Sequence, residues 1–264
     1  MPHAVNAVTV RGTRVNVGCA GWSLRKEHFP LFPDSGTHLE RYAARFNCVE
    51  INSSFYRSHR VATYQRWVAA TPPDFRFAVK LPKQITHVNR LKRSDDAIAH
   101  FSTEVGGLGL KLGVILVQLP PSLQFESSVA DDFFKRLTEA ISTPVVVEPR
   151  HPSWFAEESS SLLTARAVGR VAADPAVTIA ASAPLIADDL AYYRWHGSPR
   201  IYYSSYNDPT ISELAQRAAC ITREGRDVWC IFDNTAEGSA TLNALTMQSC
   251  CNTALDDESL PTTH

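Results

Sequence analysis

Short apolar runs closed by polar residues recur along this chain. Between them lie segments whose apolar residues are spaced three and four apart. The first kind reads as strands buried on both faces, the second as helices that cover them. Strands are expected at Val15–Trp22, Cys48–Ser54, Phe75–Pro82 and Leu112–Pro121, then in the Val145 to Trp154 stretch, and at Gly169–Pro175, Ala191–Gly197 and Asp227–Asn234. Helices are expected at His38–Phe46, Thr63–Ala70, Asp96–Val105, Asp131–Ile141, Glu157–Arg166, Ile211–Glu224 and Ser239–Met247. Lys83–Ser94 and Ala176–Asp189 read as loops, and 1–14 and 252–264 as flexible ends around one domain at 15–248. Strand and helix alternate about eight times with no break in composition. That rhythm predicts a parallel sheet wrapped in helices, closed as a single (β/α)8 TIM-like barrel.

Composition narrows the class without changing it. The chain has 264 residues, 44% hydrophobic and 20% charged, close to the ~250 residues one such barrel uses. A net charge of −1 supplies no general basic field for nucleic acid, although a local basic groove remains open. The six cysteines show no CxxC or zinc-finger spacing, and Cys19, Cys48 and Cys230 fall in apolar strand segments as small core residues. No signal-like apolar core and no run of ~18 apolar residues is present, so no membrane association is expected. The reading is a soluble protein of the reducing cytoplasm, of unknown oligomeric state.

The chemistry sits where the strands end. Glu50 and Asn52, Lys80, Gln118, Glu148 and Arg150, Asp174, Arg194 and His196, and Asp233 and Asn234 all fall at C-terminal strand ends. Three of these sets are i,i+2 pairs, and a strand puts such pairs on one face. In a parallel barrel those ends meet at one mouth, where active sites are built. The bland alternatives are a Glu148–Arg150 ion pair that only fixes register, and Asp174 and Asn234 as helix caps. Repetition across otherwise apolar strands favours a shared pocket.

The segments GCAGWS, VEINSSFYR, FAVKLPKQITH, ILVQLPPSL, VVVEPRHPSW, YYRWHG and IFDNTAEGSATLNAL, in this order, resemble the YecE-like family, also called domain of unknown function 72. The resemblance covers about residues 15 to 248. It implies a TIM-barrel-like fold with polar residues at the strand ends, and no settled activity. Positions that match its motifs include Trp22, Asn52, Tyr56, Lys80, His87, Gln118, Glu148, Arg150, Trp154, Arg194, His196, Asp233 and Asn234.

Lys80, Arg150 and Arg194 facing Glu50, Glu148 and Asp233 would suit a small anionic, phosphorylated or polyhydroxylated substrate. Glu148 is the first candidate for acid/base work and His196 the second, with Glu50 and Asp233 beside them as catalytic candidates. Trp22, Tyr56 and Trp154 would form an aromatic wall, and Asn52, His87, Gln118 and Asn234 would add polar contacts. The expected class is a hydrolase, lyase or isomerase. No cofactor is identified. A metal site of Glu148, Asp174, His196 and Asp233 is disfavoured by the neighbouring cations, and no metal ligand is assigned. The alternative is nucleic-acid binding or phosphodiester processing, with or without a metal. It would use Arg25, Lys26, Lys83, Arg90, Lys92 and Arg93 for phosphates, and Tyr202, Tyr203 and Tyr206 for stacking bases.

Overall fold

The computed structural model describes residues 14–256. Its strands are β1 (Val15–Cys19), β2 (Cys48–Ile51), β3 (Arg76–Lys80), β4 (Leu112–Gln118), β5 (Val145–Glu148), β6 (Val168–Arg170), β7 (Ala172–Asp174), β8 (Leu190–Trp195) and β9 (Asp227–Phe232). The helices are α1 (His38–Ala43), α2 (Ser53–Tyr56), α3 (Val61–Ala69), α4 (Asp95–Val105), α5 (Ser127–Ala140), α6 (Glu157–Ala165), α7 (Asp208–Arg223) and α8 (Ser239–Asp256). Helix α8 runs on to Asp256, so 252–256 continue a helix instead of fraying. The rest of the two ends expected to be flexible lies outside the described residues, apart from Arg14 just ahead of β1.

All the strand pairings are parallel, but they form two sheets, β1-β9-β8-β7 and β2-β3-β4-β5-β6. This corrects the expectation of one continuous eight-stranded ladder, and both interruptions have local causes. The expected sixth strand is split at Val171. Its first part, β6, pairs with β5, and its second part, β7, pairs with β8. Arg170 turns aside to exchange both backbone hydrogen bonds with Leu185, while the Val171 N–H still reaches the Val147 carbonyl.

The other interruption lies between β1 and β2, where side chains replace ladder bonds. The Tyr42 hydroxyl accepts from the Cys19 N–H at 2.8 Å and donates to the Cys48 carbonyl at 3.0 Å. Asn47 accepts from the Val17 N–H and donates to the Val15 carbonyl, both at 2.9 Å. One parallel bridge, Ala20 with Glu50, joins the strands at their upper ends. Gly18 permits this approach, because a Cβ there would stand 2.3 Å from the Cys48 carbonyl oxygen.

Two apolar clusters follow from strand alternation. The larger lies between sheets and helices and holds Val49, Ile51, Phe77, Val79, Ile115, Val117, Val145 and Val147, with helix residues such as Phe133, Phe134, Leu137 and Met247. The smaller is enclosed by strands of both sheets: Cys48, Ala78, Val114, Leu116, Val146, Val171, Leu190, Tyr192, Trp229 and Ile231. Gly113 leaves room for Trp229 there, since a Cβ would come within 2.6 Å of the indole. Two residues on from members of this inner cluster stand Glu50, Lys80, Gln118, Glu148, Arg194 and Asp233. The polar residues therefore form the next layer above an apolar floor, on the C-terminal side.

Candidate functional site: a buried ionic cluster at the strand ends

Arg194 is the centre of this layer. It is 1% exposed, and each of its three nitrogens meets a carboxylate. Nε donates to both Glu50 oxygens at 3.0 and 3.1 Å, and Nη2 reaches Glu50 Oε1 at 2.8 Å and Asp233 Oδ2 at 2.9 Å. Nη1 donates to Glu148 Oε2 at 3.0 Å. Below it, the buried Tyr192 hydroxyl donates to Glu50 Oε2 at 2.9 Å. Burial opposes the charge on Arg194, but Asp233, Glu50 and Glu148 together hold its pKa well above the ordinary arginine value.

Above Arg194, His196 lies between two acids. Its Nδ1 is 2.9 Å from Asp233 Oδ2 and its Nε2 is 2.9 Å from Glu148 Oε1. Arg150 Nη2 also approaches, 2.7 Å from His196 Nε2 and 2.5 Å from Glu148 Oε1. With Nδ1–H donating to Asp233, Nε2 either donates a proton to Glu148 or accepts from Arg150. The ring is thus placed to hold or release a proton at Nε2. Burial pushes the Glu148 pKa up, but Arg150, then His196 and Arg194, outweigh it and hold the carboxyl well below its usual range. The same contest, with Arg194 and the His196 hydrogen bond winning, lowers Asp233. Glu148 is therefore an ionised anchor at neutral pH, with His196 Nε2 held against it at 2.9 Å.

The other predicted residues divide by depth. Glu50 and Arg194 are buried and mutually saturated. They position the layer above them, and Arg194 has no donor left to fork onto a substrate, contrary to expectation. Arg150 is nearer the opening, and its Nε is buried without a partner. Lys80 is 8% exposed, with Nζ 4.2 Å over the Phe55 ring. His87 packs edge-on to the same ring at 4.9 Å and shares a hydrogen bond with Thr86. Burial, then Lys80 and Lys83, lowers its pKa. Gln118 is half-buried and is the register partner of Glu148. Asn52 Nδ2 lies 3.5 Å from Asp233 Oδ1, and Asn52 Oδ1 is buried without a partner. A cavity of about 380 Å³ shares Asn52 with this cluster and is lined also by Gly21, Trp22, Ser23, His38 and Ser53.

Several expectations are corrected. Trp154 does not face the cavity at Trp22 and Asn52: it is 1% exposed, its indole N–H donates to the Leu123 carbonyl, it packs on Phe125 and Phe134, and it borders a separate cavity with Arg90 and Lys92. Tyr56 is 79% exposed and rests only its edge on Phe55. Asn234 is buried, with Nδ2 on the Ser204 carbonyl and Asn243, so it ties down a loop. Asp174 is no cap: its carboxylate accepts from the Tyr206 hydroxyl at 2.7 Å. Among the described residues no group of three or more His, Cys, Asp or Glu is arranged to hold an ion. Of the basic loop residues, Arg25 pairs with Glu27, Arg90 with Ser122 and Lys92 with Glu126. Tyr206 is buried beneath Gly197, unavailable for stacking. No helix among the described residues is long and apolar enough to cross a membrane.

Sequence reasoning missed Tyr192 and Phe55. Tyr192 shares a strand face with Arg194, a parity that could have revealed it. Phe55 carries no periodic signal. Tyr202, considered only for stacking bases, lies edge-on to His196 at 5.9 Å, and burial followed by Asp233 raises its pKa.

These features define an α/β protein whose parallel sheets are wrapped in helices and whose strand ends carry a buried ionic cluster. A family model described as "Protein of unknown function DUF72" matches residues 16–264, and the chain belongs to that family. It is 36% identical to the UPF0759 protein YecE of Escherichia coli over 144 residues, 52% of each chain, so the match spans about half of that relative. It is 22% identical to the UPF0759 protein YunF of Bacillus subtilis over 264 aligned positions, 88% of this chain and 93% of that one. Two crystal structures of DUF72 family proteins share the fold. One, from Thermotoga maritima, has a TM-score of 0.75 at 24% identity, covering 90% of this chain and 99% of that one. The other, from Enterococcus faecalis, has a TM-score of 0.75 at 22% identity, covering 90% and 96%.

Proposed function

We propose that this protein is an enzyme that performs acid/base chemistry on a small anionic, phosphorylated or sugar-like substrate at the C-terminal ends of its strands. The two sheets are read as halves of one (β/α)8 barrel. The inner cluster they share and the Ala20–Glu50 bridge support that reading. A hydrolase, lyase or isomerase is the class in view.

The observation that carries the proposal is the stacked ionic cluster. A group of ions this buried costs several kcal/mol to desolvate, and hydrophobic residues of the same volume would stabilise a barrel at least as well. Its arrangement fits a task. Arg194 and Glu50 fix the floor, Asp233 orients the imidazole, and Glu148 and the partly exposed Arg150 meet at Nε2, the nitrogen through which a proton would pass to a ligand. Arg150, 2.7 Å from that nitrogen, supplies positive charge for an anionic group, and Lys80 adds to the charge of the same cluster. The cavity bordered by Trp22 and Asn52 takes the body of the substrate. The basic loop residues tied to their own neighbours give the nucleic-acid reading no comparable support.

The test is a titration of isotopically labelled protein with millimolar inorganic phosphate, followed through the His196 ring and Arg150 guanidinium NMR signals. Saturable shifts that disappear in Arg150→Ala are expected. Signals that do not move, in a folded protein, would sink the proposal.

A further inference from the structure

We propose that Lys80 is an amine nucleophile that condenses with the carbonyl group of a small anionic aldehyde or ketone to form an imine. This rests on the reading of the strand ends as an enzyme site and narrows its substrate class.

The contrast between two buried lysines carries the argument. Lys111 spends its ammonium on the Val68 and Thr71 carbonyls at 2.8 Å each and on the Thr71 hydroxyl at 2.9 Å. That is how a structural lysine is satisfied. Lys80 is equally buried, yet among the described residues its Nζ has no hydrogen-bond or ion-pair partner. It rests on the face of Phe55, a contact that tolerates an ammonium without fixing its protons. The acids of the cluster, which would pair with it, are already committed to Arg194, Arg150 and His196. Burial, with Arg194 adding to it against the pull of Glu50, Glu148 and Asp233, pushes the Lys80 pKa down to about 8. A desolvated lysine beside another cation is how a neutral amine is obtained near neutral pH. Arg150, which like Lys80 has Glu148 as a charged neighbour and whose Nε is unpartnered, suits a carboxylate or phosphate on the same molecule.

The step balances without an oxidant or reductant. The amine lone pair forms a C–N bond to the carbonyl carbon, and the C=O π electrons move to oxygen, which takes up a proton. Nitrogen releases a proton to give a neutral carbinolamine. The hydroxyl is then protonated and leaves as water while the nitrogen lone pair closes C=N. The net change is amine plus carbonyl plus one proton to a protonated imine plus water, and loss of that proton from nitrogen gives the neutral imine. His196, between Glu148 and Asp233, is the group of the cluster built to carry these protons.

The experiment incubates the whole chain separately with glyoxylate and with dihydroxyacetone phosphate in the presence of sodium cyanoborohydride, and reads intact mass and peptide maps. One stoichiometric adduct on Lys80 is expected with at least one probe. Its rate should reach half its maximum near pH 8, and it should be absent from a folded Lys80→Arg variant. Labelling spread evenly over the exposed lysines, and unchanged in Lys80→Arg, overturns the proposal. The phosphate titration separates the two readings. If phosphate still shifts Arg150 and His196 while Lys80 stays unlabelled, only the imine is wrong. If neither occurs, the enzyme site itself is wrong.

Discussion

Replacing Arg194 with Met tests the ionic cluster most sharply. Met keeps much of the volume and the apolar stem but removes the charge. In the wild type the guanidinium is the shared partner of Glu50, Glu148 and Asp233. After substitution Glu148 keeps Arg150, Asp233 keeps His196, and Glu50 keeps only the Tyr192 hydroxyl. Breaking a buried ion pair by removing one partner costs about 3–5 kcal/mol, and here three acids lose a partner at once, so the upper end applies. For a chain of this size each kcal/mol moves Tm by ~2–4 °C, so Tm should fall by roughly 10–20 °C.

The pH dependence gives the sign. Glu148 and Asp233 have lowered pKa values in the folded wild type, so their stabilisation is fully present above their unfolded values near ~4 and fades as pH falls through the lower folded values. The variant loses much of that lowering. Its deficit should be largest at neutral pH and shrink below about pH 4. Urea denaturation of both proteins from neutral to acid pH reads this directly, and the double variant Arg194→Met/Glu50→Gln should recover part of the loss. Equal stability at neutral pH, or a deficit that does not vary with pH, would refute the reasoning.

Other expectations follow from single contacts. Tyr42→Phe removes the hydroxyl joining Cys19 and Cys48 and should cost about 1–3 kcal/mol in urea melts, with no effect on phosphate binding. Gly18→Ala, whose Cβ would meet the Cys48 carbonyl oxygen, should lower Tm more than Ala substitution at the uncrowded Gly106. Lys80→Met should be more stable than the wild type at neutral pH by up to ~3 kcal/mol, because folding holds the lysine pKa near 8 instead of 10.5; the gain should vanish above about pH 10. Trp154→Phe should cost about 1–3 kcal/mol through the lost hydrogen bond to Leu123, and should leave phosphate affinity unchanged.

Strand order and facing were legible because alternation on a strand is a strict geometric rule. Cys48 and Glu50, Val146 and Glu148, and Tyr192 and Arg194 share faces in the sequence as they do in the fold. What alternation does not carry is depth. Arg194 looks like Arg150 on paper, yet Arg194 is fully buried among three acids while Arg150 keeps partial exposure. The two seams were equally hidden. Val171 interrupts a strand through backbone pairing of Arg170 with Leu185, and Tyr42 inserts between β1 and β2 from a helix whose pattern shows only an apolar stripe. Trp154 was misjudged because an aromatic residue after a strand end has the same sequence signature whether it lines a mouth or is buried against a neighbouring helix.

The most direct measurement of the central claim is a crystal structure of the protein grown with selenate, located by its anomalous scattering. An anion held between Arg150 and Lys80 within hydrogen-bond distance of both, and absent from Arg150→Ala crystals, is the result this account predicts. Selenate found only at exposed loops, with Arg150 and Lys80 taken up entirely by protein partners, would contradict it.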